Sequence, residues 1–218
     1  MLSMADRNVG RVPAGAARLP IDRAFTVRGF GTVVTGTLVS GRMAVDDTLT
    51  VLPAGVDVKV RGLQVHGVIQ SSAAAGQRVA ANFTGAGAAV AARGETAVTP
   101  GSFEATRCVD AVLDLLPSAR RLRHGARVRF HHGTCEVLGR VALGPGLSGA
   151  VAQSDAPDAL PPGGRAFARL RLEGAAVLTR GDRFILRAYS PPLTIAGGRV
   201  LDPSPPRGGI RAGRSAAD

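Results

Sequence analysis

The feature that most constrains this chain is its punctuation. Short runs rich in Val, Ile, Leu and Thr recur along the sequence, each stopped by Gly, Pro, Ser or Asp. In the first half they cover residues 19–27, 32–39, 45–52, 56–65 and 77–84. In the second half they cover 108–115, 127–132, 136–143, 150–153, 165–172, 183–189 and 194–201. Runs of this length that mix apolar and polar positions are half-buried strands, and their regular spacing predicts a barrel or sandwich. No stretch sustains a helical period. Residues 73–76 and 86–93 are Ala-rich, but they are short and bounded by Gly, so they read as loops or single turns.

Two blocks emerge. Pro100-Gly101 ends the first, and 218 residues suffice for two small domains with separate cores. The expected organisation is all-β, with two consecutive small β-barrels at 18–101 and 102–203. A disordered leader (1–17) and a flexible Pro/Gly/Arg-rich tail (204–218) flank them. Residues 155–164, with three prolines and two glycines, read as a loop. With no tryptophan and only 4% aromatic residues, the cores must be built from aliphatic side chains.

The formal net charge is +11, carried almost wholly by arginine; Lys59 is the only lysine. Arg in place of Lys fits a GC-rich genome, whereas the size of the surplus favours a polyanionic partner such as nucleic acid. Nothing at the N-terminus forms a signal-peptide core, and no apolar run approaches the ~20 residues of a membrane helix. The expectation is a soluble, cytoplasmic chain with no membrane partner. Cys108 and Cys135 then read as buried small hydrophobes, not a disulfide.

Candidate chemistry is sparse. Gly29-Phe30-Gly31 has no Gly-Lys-Ser/Thr and no helix after it, so it reads as a bulge or tight turn between strands. His131, His132 and Cys135 lack a second ligand pair, and Gly133-Thr134 between them fits a hairpin turn, so no metal site is expected. Asp46-Asp47 and the Asp110/Asp114 pair read as solvated faces, and no catalytic constellation is present. The densest basic cluster holds Arg120, Arg121, Arg123, His124, Arg127 and Arg129. It is either a solvated surface or a contact to a phosphate backbone, with Arg121, Arg123, Arg127 and Arg129 as the candidates.

Several segments together resemble a known family. The run RLPIDRAFTVRGFGTVVTGT at 18–37 is similar to the opening of the second domain of elongation factor Tu-like translation GTPases. Residues 60–67 (VRGLQVHG), 75–80 (AGQRVA), 93–95 (RGE) and 99–101 (TPG) follow in that domain's order. Asp22-Arg23 together with Gly76-Gln77-Arg78 resembles the selenocysteine-specific elongation factor in particular. HHGTCEVLGRV at 131–141, GDRFILR at 181–187 and YSPPLTIAGGRVLD at 189–202 look like that factor's third domain. The resemblance covers about residues 18–206 and corresponds to domains II and III only.

The resemblance implies delivery of selenocysteyl-tRNA to ribosomes at recoded UGA codons, with Asp22, Arg23 and Arg78 lining the selenocysteine pocket. A selenol is more acidic than a thiol, whose pKa is ~8.5. Two guanidinium groups facing a small pocket therefore favour selenolate over serine's neutral hydroxyl, and Asp22 keeps the two cations from simple repulsion. The chain contains no P-loop, switch region or guanine-specificity motif, and no winged-helix modules. It is expected to hold no cofactor and to lack enzymatic activity by itself. GTP and Mg are expected only with a GTPase domain, supplied if need be as a separate chain. The other readings are a general tRNA- or rRNA-binding barrel module and a non-functional remnant that still folds.

Overall fold

The computed structural model describes residues 15–27, 31–148 and 157–206. Gly29 and Phe30, the strand expected at 150–153, residues 1–14 of the leader and residues 207–218 of the tail lie outside the described residues. The chain divides into two compact units, Met1–Glu104 and Ala105–Asp218.

The first unit contains β1 (Arg18–Val27), β2 (Gly31–Thr37), β3 (Arg42–Ala44), β4 (Thr48–Leu52), β5 (Val56–Val65), β6 (Val68–Gln70), β7 (Ser72–Ala74), β8 (Arg78–Thr84) and β9 (Thr96–Val98). Hydrogen bonding runs in the order β4-β9-β1-β2-β8-β5-β6, and β4 also pairs with β5. That last pairing closes six strands into a barrel and leaves β6 as an appended edge. β3 and β7 form a separate two-stranded ladder. Along β2, β5 and β8 buried residues alternate with accessible ones, as one core-facing side requires. Leu19, Ile21, Val34, Val51, Val60, Ala81 and Phe83 fill the interior.

One irregularity shapes this barrel. Ile21 pairs with Gly36 and Arg23 pairs with Thr35, so Asp22 is an extra residue on β1 without a partner on β2. Such a bulge bends the strand and re-aims its side chains. The strands approach closely here: a side-chain carbon added at Gly36 would run into the carbonyl oxygen of Pro20. On the other side of β1, the Ile21 N–H donates to the Glu95 carbonyl (2.9 Å), and the Gly94 N–H donates to the Ile21 carbonyl (3.0 Å). The bulge is thus held from both flanks.

The second unit contains β10 (Ala105–Leu115), β11 (Leu122–Arg123), β12 (Arg127–His132), β13 (Cys135–Ser148), β14 (Ala159–Leu160), β15 (Arg165–Val177), β16 (Arg183–Ala188) and β17 (Thr194–Asp202). Six of them close as β10-β15-β13-β12-β16-β17, and β11 pairs with β14. Phe130 and Phe184 meet in the core with ring centroids 4.9 Å apart. The backbone runs tight against them, for the Phe184 ring fills the space where a side chain at Gly198 would go. Both units are therefore β-barrels of a nearly all-β chain.

Several expectations need correction. Ala17, placed in a disordered leader, is buried and bonded to Thr99 through both its backbone groups. The first tail residues are held as well: the Arg169 guanidinium donates to the Pro206 carbonyl (3.0 Å). The loop at 155–164 contains the short strand β14, which is seated on β11. Asp110 is not a solvated face, because it forms a two-pronged pair (2.7 and 2.9 Å) with the buried Arg169. Asp46 and Asp47 sit in a turn, with Asp47 accepting from the Ala44 N–H (2.7 Å) and Asp46 facing Lys59 (3.1 Å). Both cysteines are only half-buried.

Gly36→Ala is expected to lower stability by about 2 kcal/mol, since a backbone carbonyl must move to make room. Gly62→Ala, which meets open space, should stay within about 0.5 kcal/mol of the parent. Chemical denaturation followed by circular dichroism checks the pair.

Candidate functional site

The bulge turns Asp22 toward β2 and β8. The Thr35 hydroxyl on β2 donates to Asp22 Oδ1 (2.6 Å). Arg78, the first residue of β8, donates from Nη1 to Asp22 Oδ2 (2.6 Å) and from Nη2 to Oδ1 (3.2 Å). Residues 56 positions apart are thereby joined by a forked ion pair across three adjacent strands. Arg and carboxylate match in this geometry because two parallel N–H donors meet two oxygens.

Burial pushes the Asp22 carboxyl up. The hydrogen bonds from Arg78 and Thr35, together with the charges of Arg78 and Arg23, outweigh it and hold the group below its ordinary value. The bond to Asp22 correspondingly raises Arg78. Both partners are charged near neutral pH. The Arg78 side chain is 55% exposed and that of Asp22 25% exposed. An ion pair this open adds at most about 1 kcal/mol to stability, so its consequence is geometric. It fixes where the Arg78 guanidinium points.

Arg23 is brought to the same place differently. It is exposed, pairs across the ladder with Thr35, and acts on Asp22 through its charge. The site therefore holds two cations and one carboxylate. Its net charge is positive, with one guanidinium held by Asp22 and the other exposed.

The four arginines expected to meet phosphate are not equivalent. Arg121 and Arg123 are exposed, with Arg123 on β11. Arg127 and Arg129 lie on β12 and already hold carboxylates. Arg127 forks onto Glu173 (2.8 and 2.7 Å), and Arg129 donates to Glu136 (3.0 Å). Both also stand over the ring of Tyr189, at 4.7 and 5.8 Å from its centroid. The hydrogen bond from Arg127 is the main cause that lowers Glu173.

His131, His132 and Cys135 sit on a two-residue hairpin, where His131 pairs with Glu136 and His132 with Cys135. His132 Nε2 lies 3.4 Å from Asp182, and His131 Nδ1 lies 4.0 Å from Glu136. Burial pushes His131 down. Among the described residues no three His, Cys, Asp or Glu side chains group to hold a metal, and no helix is long and apolar enough to cross a membrane.

Sequence reasoning missed Thr35 and Tyr189. Thr35 lies in the run VVTGT as an ordinary strand threonine, and its link to Asp22 exists only through the bulge. Tyr189 is the only tyrosine and follows β16 directly, which is the one signal that could have singled it out.

A protein-family model, "Selenocysteine-specific elongation factor, beta-barrel domain", matches residues 109–207. The selenocysteine-specific elongation factor of Desulfomicrobium baculatum is 38% identical over 187 residues, covering 85% of this chain and 28% of that protein. The factor of the same name from Escherichia coli (strain K12) is 35% identical over 198 residues, covering 89% and 28%. The chain thus spans little more than a quarter of these relatives' length. Among solved structures, translation elongation factor SelB from Methanococcus maripaludis in its apo form superposes with a TM-score of 0.77 at 23% identity, covering 92% of this chain and 45% of that one. Sup35 complexed with GDP superposes with a TM-score of 0.78 at 20% identity, covering 88% and 48%. These two likenesses speak to the fold. Residues 109–207 belong to the β-barrel domain family of the selenocysteine-specific elongation factors, and over most of its length the chain is a relative of those factors.

Proposed function

We propose that this chain is the aminoacyl-tRNA-binding part of a selenocysteine-specific elongation factor and helps deliver selenocysteyl-tRNA to the ribosome at recoded UGA codons. The observation that carries the reading is the Asp22–Arg78 fork beside Arg23. It is a receptor for one small anion, placed on one barrel of a chain whose relatives bear that name. In this reading the chain binds and does not catalyse. GTP, Mg and the timing of release belong to a GTPase domain, whether in the same polypeptide or a separate one. The setting is the cytoplasm.

Selection works by charge. Near neutral pH the selenocysteine side chain is an anion, whereas serine's hydroxyl is not. Asp22 uses up part of the positive charge and leaves a net surplus from Arg23 and Arg78. A charge-assisted hydrogen bond is worth ~1.5–3 kcal/mol, so each one made only to selenolate gives roughly ten- to hundredfold preference. Seryl-tRNA would leave the surplus cation poorly paired, which adds to the discrimination. Because Asp22 already orients Arg78, little ordering remains to be done when the ligand arrives. In the second barrel, Arg121, Arg123, Arg127 and Arg129 form the basic surface proposed to meet tRNA phosphates. There Arg127 and Arg129 must share their donors with Glu173 and Glu136.

Binding titrations at fixed salt test the pocket. The chain is expected to prefer selenocysteyl-tRNA over seryl-tRNA, and Arg78→Ala should narrow that preference by about tenfold or more. The same variant should leave seryl-tRNA affinity within about threefold. Equal affinities of the parent for the two tRNAs would favour a general RNA-binding barrel instead. Arg121→Ala and Arg123→Ala are expected to weaken both tRNAs alike and to reduce the salt slope by about one each. A changed preference in either would undo the division between pocket and phosphate contacts.

A further inference from the structure

We infer that Thr35 is a positioning residue of the Asp22–Arg23–Arg78 site: its hydroxyl locks the bulged Asp22 carboxylate in the orientation that aims Arg78, and so helps set which aminoacyl group is accepted. The inference rests on the function proposed above. It goes further by assigning a part of the selectivity to a neutral strand residue that touches neither guanidinium through a hydrogen bond of its own.

The geometry shows why Asp22 needs such a lock. As the extra residue of a bulge, it has no cross-strand partner to hold its side chain in register. Arg78 alone does not fix it, because a fork can rotate together with its carboxylate, and the Arg78 side chain is more than half exposed. Thr35 supplies a third point. It donates to Oδ1 at 2.6 Å, the oxygen that Arg78 holds by the longer arm of the fork at 3.2 Å. Oδ2 is left to the short arm at 2.6 Å. Three bonds on two oxygens define the plane of the carboxylate, and that plane defines the plane of the guanidinium.

Thr35 is itself well placed to be rigid. It is β-branched and sits on β2 with ladder partners on both sides, Arg23 on β1 and Ala80 on β8. The next residue, Gly36, permits the close approach of β1 at Pro20. Thr35 is thus anchored by the same contact that produces the bulge. The charged groups near Asp22 are Arg23 on its own strand, Arg78 on β8, and Glu95, whose backbone carbonyl accepts from the Ile21 N–H. Only Arg78 and Arg23 act on it among these.

Removing the hydroxyl should leave the ion pair formed but loosely aimed. The ligand must then do the ordering, and it gains less from binding. The test uses Thr35→Val, which keeps the β-branched shape, and Thr35→Ser, which keeps the hydroxyl. Thr35→Ala carries the same test if the valine chain does not fold. Two readouts are taken on the whole chain. The first is the Asp22 carboxyl titration by carbon-13 NMR, assigned with Asp22→Asn. The second is the ratio of affinities for selenocysteyl-tRNA and seryl-tRNA. Thr35→Val is expected to move the Asp22 midpoint upward, because a donor to its ionised form is lost, and to shrink the affinity ratio by about three- to tenfold. Thr35→Ser should restore both. A midpoint that stays put, or a full affinity ratio in Thr35→Val, overturns the role of Thr35. A parent chain that does not discriminate at all overturns the function proposed above; the Asp22 midpoint then still reports separately whether Thr35 holds the carboxylate.

Discussion

The close passage of β1 over β2 at Pro20 and Gly36 is the contact on which the first barrel's chemistry depends. Backbone can approach backbone there only because position 36 has no side chain. The approach leaves one residue too many on β1, and that residue is Asp22. An aspartate in perfect register would point to one fixed face with its neighbours at i±2. A bulged aspartate is re-aimed and becomes available to a residue two strands away. The fork from Arg78 and the hydroxyl of Thr35 convert that freedom into a fixed direction. Packing thus determines electrostatics here: a missing methyl group on one strand decides where a guanidinium on another will point.

The second barrel uses charge differently. Arg169 is buried and forked onto Asp110, and it also bonds the Pro206 carbonyl, so it ties the end of the described chain to the barrel wall. Arg127 and Arg129 are half-buried, share an aromatic neighbour in Tyr189, and are each tempered by a glutamate. The +11 surplus of the sequence is therefore not a uniform coat. Part of it is spent inside the fold, part is screened by nearby carboxylates, and Arg121 and Arg123 remain on the exposed rim.

Long strands were legible in the sequence because alternation and turn residues mark them, as in β8, where every second residue is buried, and in β12, where Val128 and Phe130 are. The short elements were not. β9 is three residues long and buried throughout, so it carries no alternation at all. β11 and β14 have two residues each and exist only because they pair with one another. The candidate residues Asp22, Arg23 and Arg78 came from resemblance; composition alone would have made Asp22-Arg23 a local salt bridge. The structure instead pairs Asp22 with Arg78, 56 residues on. Asp110 was misread for a related reason, since its partner Arg169 lies 59 residues away and only the strand order brings them together. Side-chain partners across a barrel are set by register, and register is not written in any local window.

We propose that the Asp22–Arg23–Arg78 site recognises the ionised side chain of selenocysteine by charge. The most direct measurement is the ratio of affinities for selenocysteyl-tRNA and cysteinyl-tRNA as a function of pH. With both amino acids carried on the same tRNA, these ligands differ by one atom, and near neutral pH one is an anion while the cysteine thiol, with a pKa of ~8.5, remains mostly protonated. Asp22 is held below its ordinary value and Arg78 above its own, so the receptor keeps its charges while the ligand titrates. A clear preference for selenocysteyl-tRNA is expected near neutral pH, fading as acidification protonates the selenol. A second narrowing is expected at alkaline pH as the thiol ionises. A ratio that stays constant across this range would contradict recognition by charge.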